Sequence, residues 1–223
     1  MEEGYLIRRA VKNDIPFLAN TVIAAEKGRS DKLSFSTLFN VSEDRAKELI
    51  MAMFEEEIDG CELSVSSFLV VEHEGEVVAA LGSWIECFEG SMPSAILKSN
   101  LIFHTYENES IEFFKTVSHI SKDIFMDREP LALQYEYIYI SPAHLGKGLD
   151  TELFKKGEEL ALAKYPGLKK AQSQLFKNNI LAVIVLKKKG FNVVRSCKSN
   201  NADILNYIPF NEKLLMEKIL EKQ

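Results

Sequence analysis

At 223 residues, the chain is one large domain or two very small ones, long enough for a core that buries roughly 70% of the unfolded surface. Hydrophobic residues make up 46% and charged residues 27%, an ordinary soluble balance. Lys and Arg number 27 against 33 Asp and Glu, a formal charge of −6, which advertises no polyanion-binding face and argues against nucleic acid as a partner.

In chain order, "GYLIRRA" reads as a short strand and "KNDIPFLANTVIAAEKG" as a helix. Asp14 is its expected N-cap, Pro16 sits in the first turn, Ile15, Leu18, Val22 and Ala25 form its apolar face, and Gly28 stops it. "SEDRAKELIMAMFEEEIDG" is a second amphipathic helix, capped by Ser42 and ended by Gly60, with Glu55 to Glu57 facing solvent. Two β-rich runs around Glu74-Gly75 in "SFLVVEHEGEVVAALGSWIE" predict a hairpin. Residues 86–130 break the pattern: "CFEGSMPSAILKSN" reads as loop, and "NESIEFFKTVSHISKDIF" has helical period. A connection this long is functional or disordered, and its apolar content argues for order.

A strand at "LALQYEYIYIS", a helix at "DTELFKKGEELALAKY" and a strand at "GLKKAQSQLF" follow. "NNILAVIVLKKKG" is a helix, "FNVVRSCKS" a strand, "ADILNYIPF" the expected last strand, and "NEKLLMEKILEK" a helical tail over about 211–223. The order β-α-α-β-β-(insert)-β-α-β-α-β-β predicts an α/β fold, one mixed sheet with helices on its faces, in a single domain over 1–223.

Cys61, Cys87 and Cys197 form no CxxC pair, and His73, His104, His119 and His144 lack ligand spacing, so neither a disulfide framework nor a metal site is expected. Lys187-Lys188-Lys189 reads as a solvated helix end. Acids open the N-terminus and no apolar run approaches roughly 20 residues, so no signal peptide, no membrane partner and a cytoplasmic location are expected.

The stretch "EYIYISPAHLGKGLDTEL" carries the chemistry. A strand runs into a turn with Gly146 and Gly148, then into a helix, whose first N–H groups and dipole favour a phosphate. Glycines let a ligand approach the backbone, and Lys147 and Thr151 could add donors. A dinucleotide fingerprint would need glycine at Thr151, and a P-loop would need Lys and Ser or Thr directly after Gly148, so neither fits. The turn alone is equally compatible with binding nothing.

Further along, Asn179, Ala182, Gly190 and Phe191 give N-x2-A-x7-G-F, while Pro142, Gly146, Gly148 and Leu149 give P-x3-G-x-G-[LI]. Together with "LIRRAVKNDIPFL" and the "FLVVEHEGEVVAALG" hairpin, this resembles the GNAT N-acetyltransferase superfamily over most of the chain outside residues 86–130 and the C-terminal tail. The resemblance implies a mostly antiparallel twisted sheet with a helical insertion between the third and fourth strands. It also implies an acetyl-CoA-dependent transfer of an acetyl group to an acceptor amine by direct attack, with acetyl-CoA as co-substrate and no metal. A homodimer is left open.

Position by position, the pyrophosphate turn falls on Leu145, Gly146, Lys147, Gly148, Leu149 and Asp150, followed by Thr151. Leu145 replaces the family's Gln or Arg and Asp150 its last Gly or Ala. Asp150 is either an ordinary helix first-turn acid or a carboxylate that weakens CoA binding. The strand through Ile138, Tyr139 and Ile140 would pair with the pantetheine arm, the Ile140 amide polarising the thioester carbonyl. Gln134 and Glu136 share a face from which family members supply the general base, and Glu136 is the expected base. The alternative for Glu136 is a solvent-facing acid, and Tyr135, Tyr137 and Tyr139 are expected together on the other face. Asn179 is a pantetheine contact, an N-cap, or both.

Leu186 stands where the family often has the tyrosine that reprotonates the thiolate, leaving Tyr207 or a tyrosine of 135–139 as substitutes. Acceptor specificity is expected from the helix pair at 14–59 and the insertion. There Trp84, Phe88, Phe103, Tyr106, Phe113 and Phe114 either wall a pocket, with Glu86, Glu89, Glu107 and Glu109 attracting a cation, or pack the insertion onto the sheet. Leu145, Asp150 and Leu186 also motivate an alternative: a catalytically weak acyl-CoA-binding sensor or scaffold.

Overall fold

The structure, a computed structural model, describes residues 4–220. Strand β1 (Tyr5–Arg9) leads through a 3-10 turn into helix α1 (Ile15–Lys27), which ends at Gly28 in a left-handed conformation, φ 51°. Asp14 occupies the N-cap position of α1 but serves a wider purpose. Its carboxylate accepts from the Val11 amide at 2.8 Å and from both Arg8 Nη atoms at 2.6 and 3.0 Å, tying β1 to the helix. A single turn, α2 (Ser34–Thr37), precedes α3 (Glu43–Glu55), capped as expected by Ser42, whose hydroxyl accepts from the Arg45 amide. Helix α3 ends at Glu55, before the Gly60 stop that composition suggested.

Strands β2 (Phe68–His73) and β3 (Glu76–Ile85) form the expected hairpin. Both turn residues have positive φ, Glu74 at 51° and Gly75 at 84°, the twist-matched geometry of a tight hairpin. The insertion holds α4 (Ser94–Thr105), α5 (Asn108–Val117) and a 3-10 segment (Ser118–Ile124). The loop expected at 87–100 is therefore partly helix. Its start is set from a distance: buried Glu86 accepts from the Ser94 amide at 2.9 Å and the Ser94 hydroxyl at 2.7 Å, capping α4.

Strand β4 (Leu133–Ile140), helix α6 (Leu149–Lys164), strand β5 (Lys170–Phe176), helix α7 (Ile180–Lys188) and strand β6 (Asn192–Lys198) follow as predicted. The C-terminal expectation fails. Residues 204–207 form a short helical turn, α8 (Ile204–Tyr207), and the segment expected as a helical tail is strand β7 (Glu212–Ile219); residues 221–223 lie outside the described part. Leu214 and Met216 are buried at period two, and both edges of β7 are paired, with β5 on one side and β6 on the other.

The described residues thus form a seven-stranded sheet in the order β1-β2-β3-β4-β5-β7-β6. Every pairing is antiparallel except β4 with β5. One core lies between the sheet and α1, α3 and α4, and includes Leu18, Val22, Ile50, Phe54, Phe68 and Tyr137. A second lies under α6 and includes Leu81, Tyr135, Leu149, Leu153, Phe154 and Phe191, and a smaller third joins the end of the insertion to β5 and α8 through Ile120, Ile124, Phe176 and Ile204.

Candidate acyl-transfer cleft

Strands β4 and β5 are paired only at Leu133 with Ala171 and Gln134 with Gln172. Beyond that point they part. The first cause lies in β4 itself: Tyr137 has φ 52° and is the extra residue of a bulge, since Leu81 faces Ile138 while Gly82 faces Glu136. A bulge bends its strand and raises the local twist. Gly82 is what permits it, because a Cβ there would sit 3.0 Å from the Glu136 carbonyl oxygen and 3.0 Å from the Phe68 ring.

The bulge also breaks the expected alternation. Tyr135 stays on the α6 side, its hydroxyl donating to the Phe154 carbonyl at 3.1 Å. Tyr137 turns to the opposite core and Tyr139 lies 5.9 Å from the Phe17 ring of α1. The three tyrosines therefore do not share a face, which corrects the expectation from period two.

The gap opens into a cleft of about 550 Å³. Its walls are β4 from Tyr135 to Ile140, β5 from Ser173 to Phe176, the start of α7 from Asn179, and the C-terminal end of α1 with Glu26, Gly28 and Arg29. The Ser141 amide donates to the Val78 carbonyl at 2.8 Å. Amides alternate sides along a strand, so those of Ile138 and Ile140 point away from β3, toward the gap.

At the mouth, Leu145 and Gly146 line the cleft, and Gly146 and Gly148 take φ of 78° and 72°. Gly148 is the N-cap of α6, whose internal bonds begin with the Thr151 and Glu152 amides on the Gly148 carbonyl. The amides of Leu149 and Asp150 precede those bonds and have no intrahelical acceptor. The Leu149 side chain is buried under the sheet, so only its backbone is at the turn; Lys147, Gly148 and Thr151 lie beside the cleft without lining it.

Asp150 lines the cleft, and it is paired from an unexpected direction. Lys189, at the end of α7, lies 2.7 Å from its carboxylate and donates to the Thr151 hydroxyl at 2.9 Å. The lysine run is thus only partly a solvated helix end. Asn179 caps α7 through the Ala182 amide at 3.4 Å and also lines the cleft. Leu186 is buried and lines it too. Tyr207 packs near Phe113, 6.3 Å between rings, and does not line the cleft.

Glu136 lines the cleft and carries a buried charge network behind it. Its carboxylate accepts from Arg128 Nη2 at 3.0 Å, and the same nitrogen lies 2.7 Å from Glu62, which is fully buried. Glu62 also pairs with Lys98 and accepts from the Tyr137 hydroxyl at 2.6 Å. Burial pushes the Glu136 carboxyl above its ordinary range; Arg128 and Lys213 pull it back, Glu62 adds to the rise, and the net direction is up. For Glu62 burial also pushes up, but Arg128 and Lys98 outweigh it and hold it well below the usual range.

Gln134 is fully buried and donates to Gln172 at 3.1 Å, where the two strands still pair, so the structure does not bring it to the cleft. The insertion aromatics do not line it either. Tyr106 donates to the Phe35 carbonyl and Phe114 stacks on Phe39, so packing explains these two; Trp84, which donates to Glu86, lines with Phe88 and Glu89 a separate cavity of about 460 Å³. Glu86 caps a helix and Glu107 pairs with Arg45. The charges the sequence did not assign to a site are Glu26, Glu62, Arg128, Lys189 and Lys213. They come from two helix ends, two loops and a strand far apart in sequence, and no local spacing brings them together.

No family model matches the sequence, and no curated protein matches it. Solved structures do. An N-acetyltransferase from Staphylococcus aureus Mu50 is 16% identical, with 95% of this chain and 99% of that one covered and a TM-score of 0.65. A putative acetyltransferase from Salmonella typhimurium, solved with its cofactor acetyl-CoA, is 16% identical over 99% and 96%, TM-score 0.56. An acetyltransferase of the GNAT family from Streptococcus pneumoniae is 15% identical over 97% and 99%, TM-score 0.51. The chain has the fold of the GNAT acetyltransferases, an open mixed sheet parted between its fourth and fifth strands.

Proposed function

We propose that the protein is an N-acetyltransferase that uses acetyl-CoA as co-substrate and transfers the acetyl group directly to an amine. One observation carries the reading. The parted strands β4 and β5 make a cleft that leads straight to the two-glycine turn at the start of α6. In this reading the free amides of Ile138 and Ile140 hold the pantetheine arm. The turn amides from Gly146 to Asp150, with Lys147 and Thr151 beside them, receive the pyrophosphate at the positive end of the helix. Asn179 contacts the arm from α7.

Glu136 takes the proton from the acceptor ammonium, directly or through a water. The amine nitrogen then bonds to the thioester carbon while the Ile140 amide stabilises the developing oxyanion. The C–S bond breaks and CoA leaves as thiolate, tolerable because a thiol's pKa is about 8.5, and the second proton of the attacking nitrogen passes through water to that thiolate. A raised carboxyl suits Glu136 to this work, and Arg128 holds it in place. A second reading, an acyl-CoA-binding sensor or scaffold with little turnover, draws on Leu186, which offers no proton where the resemblance puts a tyrosine.

Calorimetry with acetyl-CoA, followed by thiol-release assays over an amine panel, tests both. Absence of heat at millimolar ligand removes both readings; binding without thiol release favours the second.

A further inference from the structure

Lys213 opens β7, opposite Phe176 in the ladder, and its Nζ lies 5.1 Å from the centre of the Phe176 ring. It lines the cleft. Three nearby cations are committed: Arg128 to Glu62 and Glu136, Lys98 to Glu62, Lys189 to Asp150. The Lys213 ammonium makes no side-chain hydrogen bond or ion pair among the described residues, although Glu26 and Glu136 are near enough to act on it electrostatically. Burial pulls its ammonium below the ordinary lysine value, and those carboxylates restore only part of the difference. A desolvated, unpaired cation in a ligand cleft is stabilised by an incoming anion.

Glu26 faces the same space and has no ion pair of its own among the described residues, and Arg29 stands exposed at the rim. The cleft therefore offers an uncommitted carboxylate and an uncommitted ammonium on the acceptor side. A polyamine would set its extra charges against Lys213, and a simple amine would leave Lys213 unpaired. The cleft of about 550 Å³ has to admit the acyl arm as well, so the acceptor is small.

We propose that the acceptor is a small amino acid, its carboxylate held by Lys213 and its amine directed to Glu26 and Glu136. This rests on the acetyltransferase reading for the direction of transfer, but the carboxylate site can be tested by itself. Calorimetry on the CoA-loaded protein compares the twenty L-amino acids with their C-terminal amides and with spermidine. At least one amino acid is expected to bind tenfold or more tightly than its amide and than spermidine. Lys213→Met should abolish that preference, and Lys213→Arg should retain most of it.

Equal binding of acids and amides, a preference for spermidine, or no binding by any amino acid overturns the proposal. So does a preference that survives in Lys213→Met. If that variant does not fold, the acid-against-amide comparison on the unaltered protein decides. A separate titration with acetyl-CoA reads the proposed function: if it fails while the protein alone still prefers acids, the transfer reading falls and the carboxylate site stands.

Discussion

Replacing Arg128 by methionine keeps an apolar stem against Trp84 but removes the guanidinium that lies 2.7 Å from Glu62 and 3.0 Å from Glu136. Two carboxylates in a buried site then face each other with less compensation. Breaking a buried pair costs about 3–5 kcal/mol. Glu62 keeps Lys98 and the Tyr137 hydroxyl, which places the loss at the lower end, about 3 kcal/mol. Unfolding entropy of about 2.1 cal/mol/K per residue, over 223 residues, gives about 0.47 kcal/mol/K, so Tm should fall by about 6 °C.

The same substitution moves the chemistry. Arg128 lowers the Glu136 carboxyl and Glu62 raises it, so without Arg128 the carboxyl rises further. A general base works as carboxylate, and the rising limb of kcat/KM should shift to more alkaline pH. Differential scanning calorimetry and a pH–rate profile read the two effects. The double variant Arg128→Met, Glu62→Leu should recover part of the lost Tm, because it removes the buried carboxylate that faces Glu136, while Lys98 and the Tyr137 hydroxyl lose their partner. A Tm within 1 °C of the parent, or a double variant no more stable than the single, would refute the reasoning.

Glu136→Gln should lower kcat by about a hundredfold and flatten the acid limb of its pH profile, leaving acetyl-CoA affinity unchanged by calorimetry. Lys189→Met exposes the Asp150 carboxylate at the phosphate turn and should weaken acetyl-CoA about tenfold at low salt, an effect that shrinks as salt is added. Asp150→Gly should act oppositely, leaving Lys189 unpaired beside the turn and tightening binding; equal affinities in both variants would place the pyrophosphate elsewhere. Burial raises the Asp14 carboxyl, but Arg8 and the Val11 amide more than offset this and hold it below its ordinary value. Its contribution is therefore complete above the unfolded pKa and lost as pH falls through the lower folded one. Asp14→Asn should cost about 2 kcal/mol at pH 7 and much less in acid, as denaturant titrations at both pH values would record.

Much of this architecture is written locally. Ser42, Gly28 and the Glu74-Gly75 turn act through their own backbone neighbours, so α1, α3 and the first hairpin are readable from short windows. The same holds for Gly146, Gly148 and Asn179, whose roles as turn residues and cap need only adjacent amides. They marked the cleft because its mouth is shaped by local backbone geometry.

What only the tertiary structure decided involves partners far along the chain. Residues 212–219 have apolar positions compatible with either period, and the unpaired edges of β5 and β6 made them a strand. Helix α4 begins where Glu86 reaches it, and the bulge at Tyr137 exists because Gly82 on another strand leaves room. The charges that set the cleft's chemistry belong to this second kind. Arg128, Glu62 and Lys213 come near Glu136, and Lys98 meets Glu62, only after the sheet has assembled, since Coulomb energy in a dry interior depends on distance in space. The sequence by itself determined where the two-glycine turn lies and in what order most of the elements follow; the folded sheet alone decided which charges surround Glu136.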